Sequence, residues 1–309
     1  MKVRIFLFHR VSPTKDALWQ PMNPHLFERI IIYCKQNYFV TTIEELALNK
    51  VDVSKVKEPV VCIGFDDGYK DNIEYAAPIL KKNDCPASFY IVTDCTTKNI
   101  PTWTFILDYA FNQTKRKNIV LDFDFLPEHF RKQVWNNEEE KLRYASAIKP
   151  YLKTQKYTEW KLIYEAVCSA LNDVTIPEKM MMNWDDIRQL YSDGFQIGSH
   201  SVTHPLLGKI EENSMLKYEL EGSAKKIETE IGQFPITISY PIGSYNSDVM
   251  QAAQEVGYQV GLAVNQTFYE TKKDSIFAIP RVELYNENWL KTQLRLNGSL
   301  EWIKKRLPI

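Results

Sequence analysis

VVCIGFDDGYKDN, residues 60–72, runs six residues suited to a buried strand straight into two adjacent carboxylates, Asp66 and Asp67. Helical spacing follows at once in DNIEYAAPILKKN, so the unit is strand, acidic turn, helix. Two unpaired carboxylates about 4 Å apart repel by roughly 4 kcal/mol at an effective dielectric near 20, so a cation or a proton is expected beside them. The bland alternative is an Asp-Gly turn whose acids cap the next helix.

The same alternation extends in both directions. Upstream, VRIFLF reads as a first strand and NPHLFERIIIYCKQN as a helix, with Asn23 as its cap and Pro24 at the first helical position. A short strand, FVTTI, then precedes helical EELALN. Downstream, ASFYIV, FQIGS, ITISY and YQVGLAV are strands, and two helices, SMLKYELEGSAKKIETEIG and SDVMQAAQEVG, each end on a glycine. This is the pattern of an α/β chain, a parallel sheet or barrel wrapped in helices. Residues 97–182 break the rhythm. They are rich in charge and aromatics, with helices expected in TWTFILDYAFNQ, PEHFRKQVWNNEEEKLRYASAI and YTEWKLIYEAVCSAL, and read as a helical insertion within a single domain spanning 1–309. The NNEEEK run is a solvated helix face.

Composition narrows the partners. The 309 residues are 44% hydrophobic, enough for a sizeable core, and 38 basic against 39 acidic residues leave no global field to recruit nucleic acid. Cys34, Cys62, Cys85, Cys95 and Cys168 are scattered, without CxxC spacing, and read as reduced thiols. The N-terminal MKVRIFLFHRVS has an apolar run of only four residues before His9 and Arg10, too short for a signal-peptide core. No run approaches the roughly 20 apolar residues that span a bilayer. The expectation is a cytoplasmic protein without a transmembrane segment, with peripheral membrane contact left open.

A second constellation lies in IGSHSVTHPLL, where His200 and His204 are four positions apart after a strand. On a helical turn that spacing brings two imidazoles to one face, close enough to share a metal. Both motifs follow strands of an alternating β/α chain, where such folds gather their catalytic loops. Two histidines and one carboxylate make an N/N/O site with open positions, leaving the other carboxylate free to act as a base.

With these residues in place, the sequence resembles the polysaccharide deacetylase family, also called the NodB-homology or carbohydrate esterase 4 family. The resemblance rests on GFDDG, HSVTH and SYPIG, in the family's order, supported by YAAPILKKN, PASFY, EIGQFP and GSYN. It covers roughly residues 1–95 and 183–285. It implies a distorted (β/α) barrel of the NodB type, with Asp66 as general base and Asp67, His200 and His204 as ligands of a divalent ion, Zn²⁺ first with Co²⁺ or Ni²⁺ as alternatives. The tyrosine–proline motif, here Tyr240 and Pro241, implies an oxyanion-binding N–H at Ile242, where many members carry tyrosine.

Many members also end with a Leu-His motif that supplies a general acid, but no histidine follows His204. A circularly permuted subgroup, the poly-N-acetylglucosamine deacetylase-like enzymes, carries that histidine near its N-terminus in an HRV-like motif. FHRVS matches it, which implies His9 as the acid, while His25 and His129 read as ordinary helix-surface histidines. Arg281, in IPRVEL, is the candidate partner of Asp66. Tyr69, Tyr240, Trp103, Trp184 and Tyr245 are candidates for sugar-stacking walls. The expected substrate is an N-acetylated carbohydrate, either a polysaccharide or a lipid-linked or nucleotide-linked intermediate of surface-polysaccharide assembly. An O-acetyl esterase and a catalytically silent sugar-binding protein of the same fold are the alternatives.

Overall fold

A computed structural model describes residues 2–52 and 55–299. VRIFLF lies within strand β1 (Lys2–Phe8), and Asn23 accepts from the His25 N–H to start helix α1 (Pro24–Asn37). Strand β2 (Phe39–Thr41) leads into α2 (Ile43–Ala47), opened by a reciprocal capping box between Thr42 and Glu45. VVCIGF is strand β3 (Val60–Phe65). The helix expected after it begins as a π turn, Asn72–Ala76, and continues as α3 (Ala77–Lys82). Pro78 explains the change, because it has no N–H for the preceding turn and its ring crowds a regular one.

Strand β4 (Ser88–Ile91) is followed by α4 (Thr93–Lys98) and α5 (Trp103–Gln113). The second helix expected in residues 97–182 is divided. Strand β5 (Asn118–Val120) pairs antiparallel with β6 (Lys132–Val134), which follows the short α6 (Glu128–Arg131). Gln133, Val134 and Trp135 favour extended backbone, and Asn137 restarts the helix as a cap for α7 (Glu138–Leu152), whose first turn holds three glutamates. Helices α8 (Tyr157–Ala170) and α9 (Trp184–Ser192) follow. The remaining elements are β7 (Gln196–Ser199), α10 (Asn213–Ile231), β8 (Thr237–Ser239), α11 (Ser247–Val256), β9 (Val260–Leu262), β10 (Tyr269–Glu270), β11 (Val282–Glu283) and α12 (Trp289–Leu296). Gly232 and Gly257 close α10 and α11 in the left-handed region, at φ 75° and 113°.

The main sheet runs β10-β1-β3-β4-β7-β8-β9, parallel except at β10. The segment 276–284 then curls it back on itself. Ile279 exchanges backbone hydrogen bonds with Gly261 and Ala263 beside β9, while β11 pairs with β1 and Leu284 donates to the Leu7 carbonyl. The result is a distorted (β/α) barrel with helices outside it.

Strand alternation divides the core into layers. Phe6, Phe8, Val61, Ile63 and Phe65 point outward against α1, α3 and α9. Val3, Ile5, Val60, Cys62, Tyr90, Val260 and Leu262 fill the interior. Inward positions Gly64 and Gly198 make room for the Tyr90 ring; a Cβ on Gly198 would come within 2.5 Å of it. Residues 103–171 build a further core of their own around Leu107, Phe111, Ile148 and Ile163. The five cysteines are free thiols. Among the described residues, no helix is long and apolar enough to cross a membrane.

Glu44 is buried inside the barrel, accepting hydrogen bonds from Ser88 Oγ at 2.6 Å and Thr237 Oγ1 at 2.7 Å. Burial pushes its pKa up, although both hydroxyls pull the other way. An acid whose folded-state pKa is raised binds its proton more tightly when folded, so its stabilising contribution is lost as pH rises through that pKa. Glu44→Gln is therefore expected to melt above wild type at pH 8, with the gap narrowing towards pH 5. Thermal denaturation at both pH values tests this, and a gap independent of pH would contradict it.

Candidate active site

The residues singled out from the sequence gather at the C-terminal mouth of the barrel. The inward register of β1, through Val3, Ile5 and Leu7, continues to His9, and that of β3, through Val60, Cys62 and Gly64, continues to Asp66. Asp67 lies in the left-handed region at φ 76°, followed by Gly68 at 81°, and this reversal lets two consecutive carboxylates face the same cleft. Ser201, His204 and Ile242 share that backbone conformation, at φ 65°, 63° and 59°. Such conformations persist in side-chain-bearing residues only where the surroundings hold them.

The surroundings here do so. Ser201 Oγ accepts from the His204 N–H, buried Glu219 accepts from the Val202 and Thr203 N–H groups, and Trp103 Nε1 donates to the His204 carbonyl at 3.1 Å. The end of the opening stretch holds the loop after β1. Asp71 takes Arg10 Nε at 2.8 Å and the Val11 N–H at 3.3 Å, while Asn72 Nδ2 donates to the His9 carbonyl at 2.7 Å. Burial pushes Asp71 up to about 6 even with Arg10 beside it.

The two aspartates have different surroundings. Asp66 is fully engaged: Arg281 donates Nη1 to Oδ1 and Nη2 to Oδ2, each at 2.8 Å, and Ser239 Oγ donates to Oδ2 at 2.9 Å. Arg281 has no exposed surface, and its Nε is spent on the Ala263 carbonyl. Burial alone would raise the Asp66 pKa, but Arg281 and His200 outweigh it and hold the carboxyl below its usual range. Asp67 Oδ1, equally buried, makes no hydrogen bond. It faces the Nε2 atoms of His200 and His204 at 3.3 and 3.2 Å.

This is the arrangement that fits a metal ion. Asp67, His200 and His204 each present one ligand atom, all within 4.8 Å of one another, and all three side chains are buried. The Ser239 carbonyl lies 2.7 Å from His200 Nδ1 and can only accept, so that nitrogen carries the hydrogen and the Nε2 lone pair is left for a ligand bond. Burial favours neutral His204, whereas at His200 the two carboxylates overcome burial and raise the pKa. A cation among these three groups would take the place of that proton.

The family model for polysaccharide deacetylase matches residues 54–109 and 111–261, about two thirds of the chain. The chain belongs to the polysaccharide deacetylase family. YxkH of Bacillus subtilis (strain 168), whose name gives polysaccharide deacetylase as a provisional description, is 20% identical over 284 residues, covering 92% of this chain and 71% of its own. Among solved structures, the deacetylase PplD of Streptococcus pyogenes, in complex with acetate, superposes with a TM-score of 0.61 at 19% identity, covering 94% of this chain and 98% of its own. A de-N-acetylase from Aggregatibacter actinomycetemcomitans gives 0.60 at 17% identity, covering 95% and 98%. The structural likenesses fix the fold as the distorted barrel of NodB-type deacetylases, and membership of the family implies a hydrolase acting on amide or acetyl groups.

A cleft of about 370 Å³ opens over these residues of the polysaccharide deacetylase. His9 lines it, its Nδ1 3.4 Å from Glu283 Oε1 and its ring edge-on to Trp19 at 5.4 Å. Ile242 lines it too, in the 3-10 turn Pro241–Gly243. His25 and His129 are exposed and remote from it.

The aromatic walls are not those expected. Tyr69 and Tyr240 are fully buried, their hydroxyls bonded to Thr102 and the Phe277 carbonyl, so neither offers a face to a sugar. Trp103 is buried beside Trp160, Trp184 packs under Lys226, and Tyr245 stacks on Tyr240. Trp19 and Tyr285 line the cleft instead. Ser239, Glu283 and Trp19 escaped the sequence reading. Two of them had a signal: Ser239 opens the SYPIG motif, and Glu283 stands two positions after Arg281, at the end of β11.

Removing one partner of a buried ion pair leaves an uncompensated charge, which costs about 3–5 kcal/mol. Arg281→Met should destabilise the protein by about that amount, and much less when Asp66→Asn is already present. Chemical denaturation of the two single variants and the double variant measures the coupling. Additive effects would contradict the pairing.

Proposed function

We propose that the protein is a metal-dependent N-deacetylase that removes acetate from an N-acetylated sugar in a polysaccharide or its biosynthetic intermediate. The observation that carries this reading is the division of labour between the aspartates: Asp66 has every near partner of an oriented base, and Asp67 has the unfilled oxygen of a ligand. Asp67, His200 and His204 would hold a divalent ion, Zn²⁺ first by donor set, and such an ion supplies a Lewis acid and a bound water of lowered pKa.

Asp66, kept ionised by Arg281, accepts the proton of the attacking water; Arg281 and Ser239 fix its plane and spare the carboxylate any search for the right geometry. Ile242, second in its 3-10 turn, has an N–H without a partner inside the turn, available to the oxyanion of the tetrahedral intermediate. His9 donates a proton to the departing amine. Glu283 beside Nδ1 orients the ring, and Trp19 limits its rotation. The helical segment 97–182, which we treat as an insertion, walls the cleft with Thr104, Asp108, Lys149 and Lys153.

An amine leaves poorly without protonation, whereas a sugar alkoxide needs the acid less. His9→Ala should lower kcat/KM for an N-acetylated oligosaccharide by about 10²–10⁴-fold, with a much smaller loss on an O-acetylated one. Acetate release from both substrate types by metal-loaded wild type and His9→Ala tests the reading. Equal losses would remove His9 as the acid, and acetate from O-acetyl sugars alone would turn the assignment to an esterase.

A further inference from the structure

Lys149, in the last turn of α7, and Lys153, which caps its C-terminus in right-handed helical conformation, both line the cleft. At i and i+4 they share one helix face, a spacing at which like charges destabilise a helix. Cations near a helix C-terminus are common, because they complement the carbonyl end of the dipole, and an exposed pair would need no other explanation. These two are not exposed in that way.

Lys149 is neutralised by Asp108, a buried acid of α5 whose Oδ1 accepts from Nζ at 2.7 Å. Lys153 has no ion pair or side-chain hydrogen bond among the described residues, although it is only partly exposed. Burial and the neighbouring Lys149 pull its pKa down and outweigh the opposite pull of Glu283, Asp108 and Asp67, none of which is in ion-pair contact with it. The carboxylates of the cleft contact other groups: Asp66 contacts Arg281, Asp108 contacts Lys149, Glu283 contacts His9, and Asp67 faces His200 and His204. Among the described residues, Lys153 is the lysine of the cleft with no carboxylate in contact.

We infer that Lys153, with Lys149 behind it, is a specificity site for a negatively charged group on the acetylated sugar, a phosphate or a carboxylate close to the residue being deacetylated. The inference rests on the deacetylase reading of the same cleft. An anion there completes the charge balance, and a charge-assisted hydrogen bond in a partly desolvated cleft discriminates strongly against an uncharged analogue. Trp19 and Tyr285 line the same cleft, which at about 370 Å³ has room for a sugar ring.

The test is calorimetric binding of three sugars to the zinc-loaded protein: N-acetylglucosamine 1-phosphate, an N-acetylglucosamine–glucuronate disaccharide, and uncharged chitobiose. Wild type should bind one of the charged sugars roughly 10- to 100-fold more tightly than chitobiose, and the one it prefers separates phosphate from carboxylate. The preference should shrink in 0.5 M salt, as screening requires, and vanish in Lys153→Met. Lys153→Glu should invert it, which keeps the test informative if the methionine variant misfolds. Equal binding of charged and uncharged sugars by wild type overturns the inference. So does a charge preference that persists undiminished in Lys153→Met, because a phosphate bound only to the zinc is indifferent to the lysine. Acetate release is followed in parallel. Hydrolysis without charge preference overturns the anion site and leaves the deacetylase standing, whereas charge-selective binding with no hydrolysis of any sugar supports the anion site and counts against the deacetylase.

Discussion

The buried pair between Arg281 and Asp66 is the constraint on which the site depends. A guanidinium with no exposed surface is tolerable only when its donors are used, and here they go to both oxygens of Asp66, to Ser239 Oγ and to the Ala263 carbonyl. That bond network joins β3, β8 and the segment that closes the barrel between β9 and β1. It also separates the roles of two carboxylates that share one turn. Occupied by a fixed cation, Asp66 is not needed to balance a second one, and the unfilled oxygen of Asp67 is left facing two imidazoles. The repulsion between neighbouring acids is thus met twice, by a guanidinium beside Asp66 and by the two imidazoles facing Asp67.

Ser239 ties the two halves together. Its side chain donates to Asp66, and its carbonyl fixes the His200 tautomer that exposes Nε2. The barrel makes this possible by simple alternation, since inward positions at the ends of β1, β3, β7, β8 and β11 all meet above the interior. The helical segment completes the site from outside that pattern: Trp103 anchors the His204 carbonyl, and α7 brings its lysines over the cleft. Support for the His204 backbone and the lysines over the cleft therefore come from the same helical segment, through α5 and α7.

Much of this was legible in the sequence, for physical reasons that differ by element. Strands with unbroken apolar runs, such as VVCIGF, and helices with explicit caps, such as Asn23 and Gly257, declare themselves locally. So did Asp66, Asp67, His200 and His204, because ligand chemistry restricts residue type and spacing. Arg281 was a candidate without a way to prove its contact with Asp66, 215 positions away in the chain. The π turn before Pro78, the β5–β6 ribbon and the closing segment 276–284 depend on tertiary pairing that leaves little local pattern. The tyrosines misled because motif membership says nothing about burial: Tyr69 and Tyr240 stiffen the walls from inside, while Trp19, in no motif, faces the cleft.

The most direct test of this account is the metal content of purified wild type, Asp66→Asn and Asp67→Asn after reconstitution with zinc, measured by elemental analysis on folded protein. Stoichiometric zinc in wild type and Asp66→Asn, with loss in Asp67→Asn, is the predicted result. Loss in Asp66→Asn with retention in Asp67→Asn would reverse the two aspartates and contradict the division of labour set by Arg281.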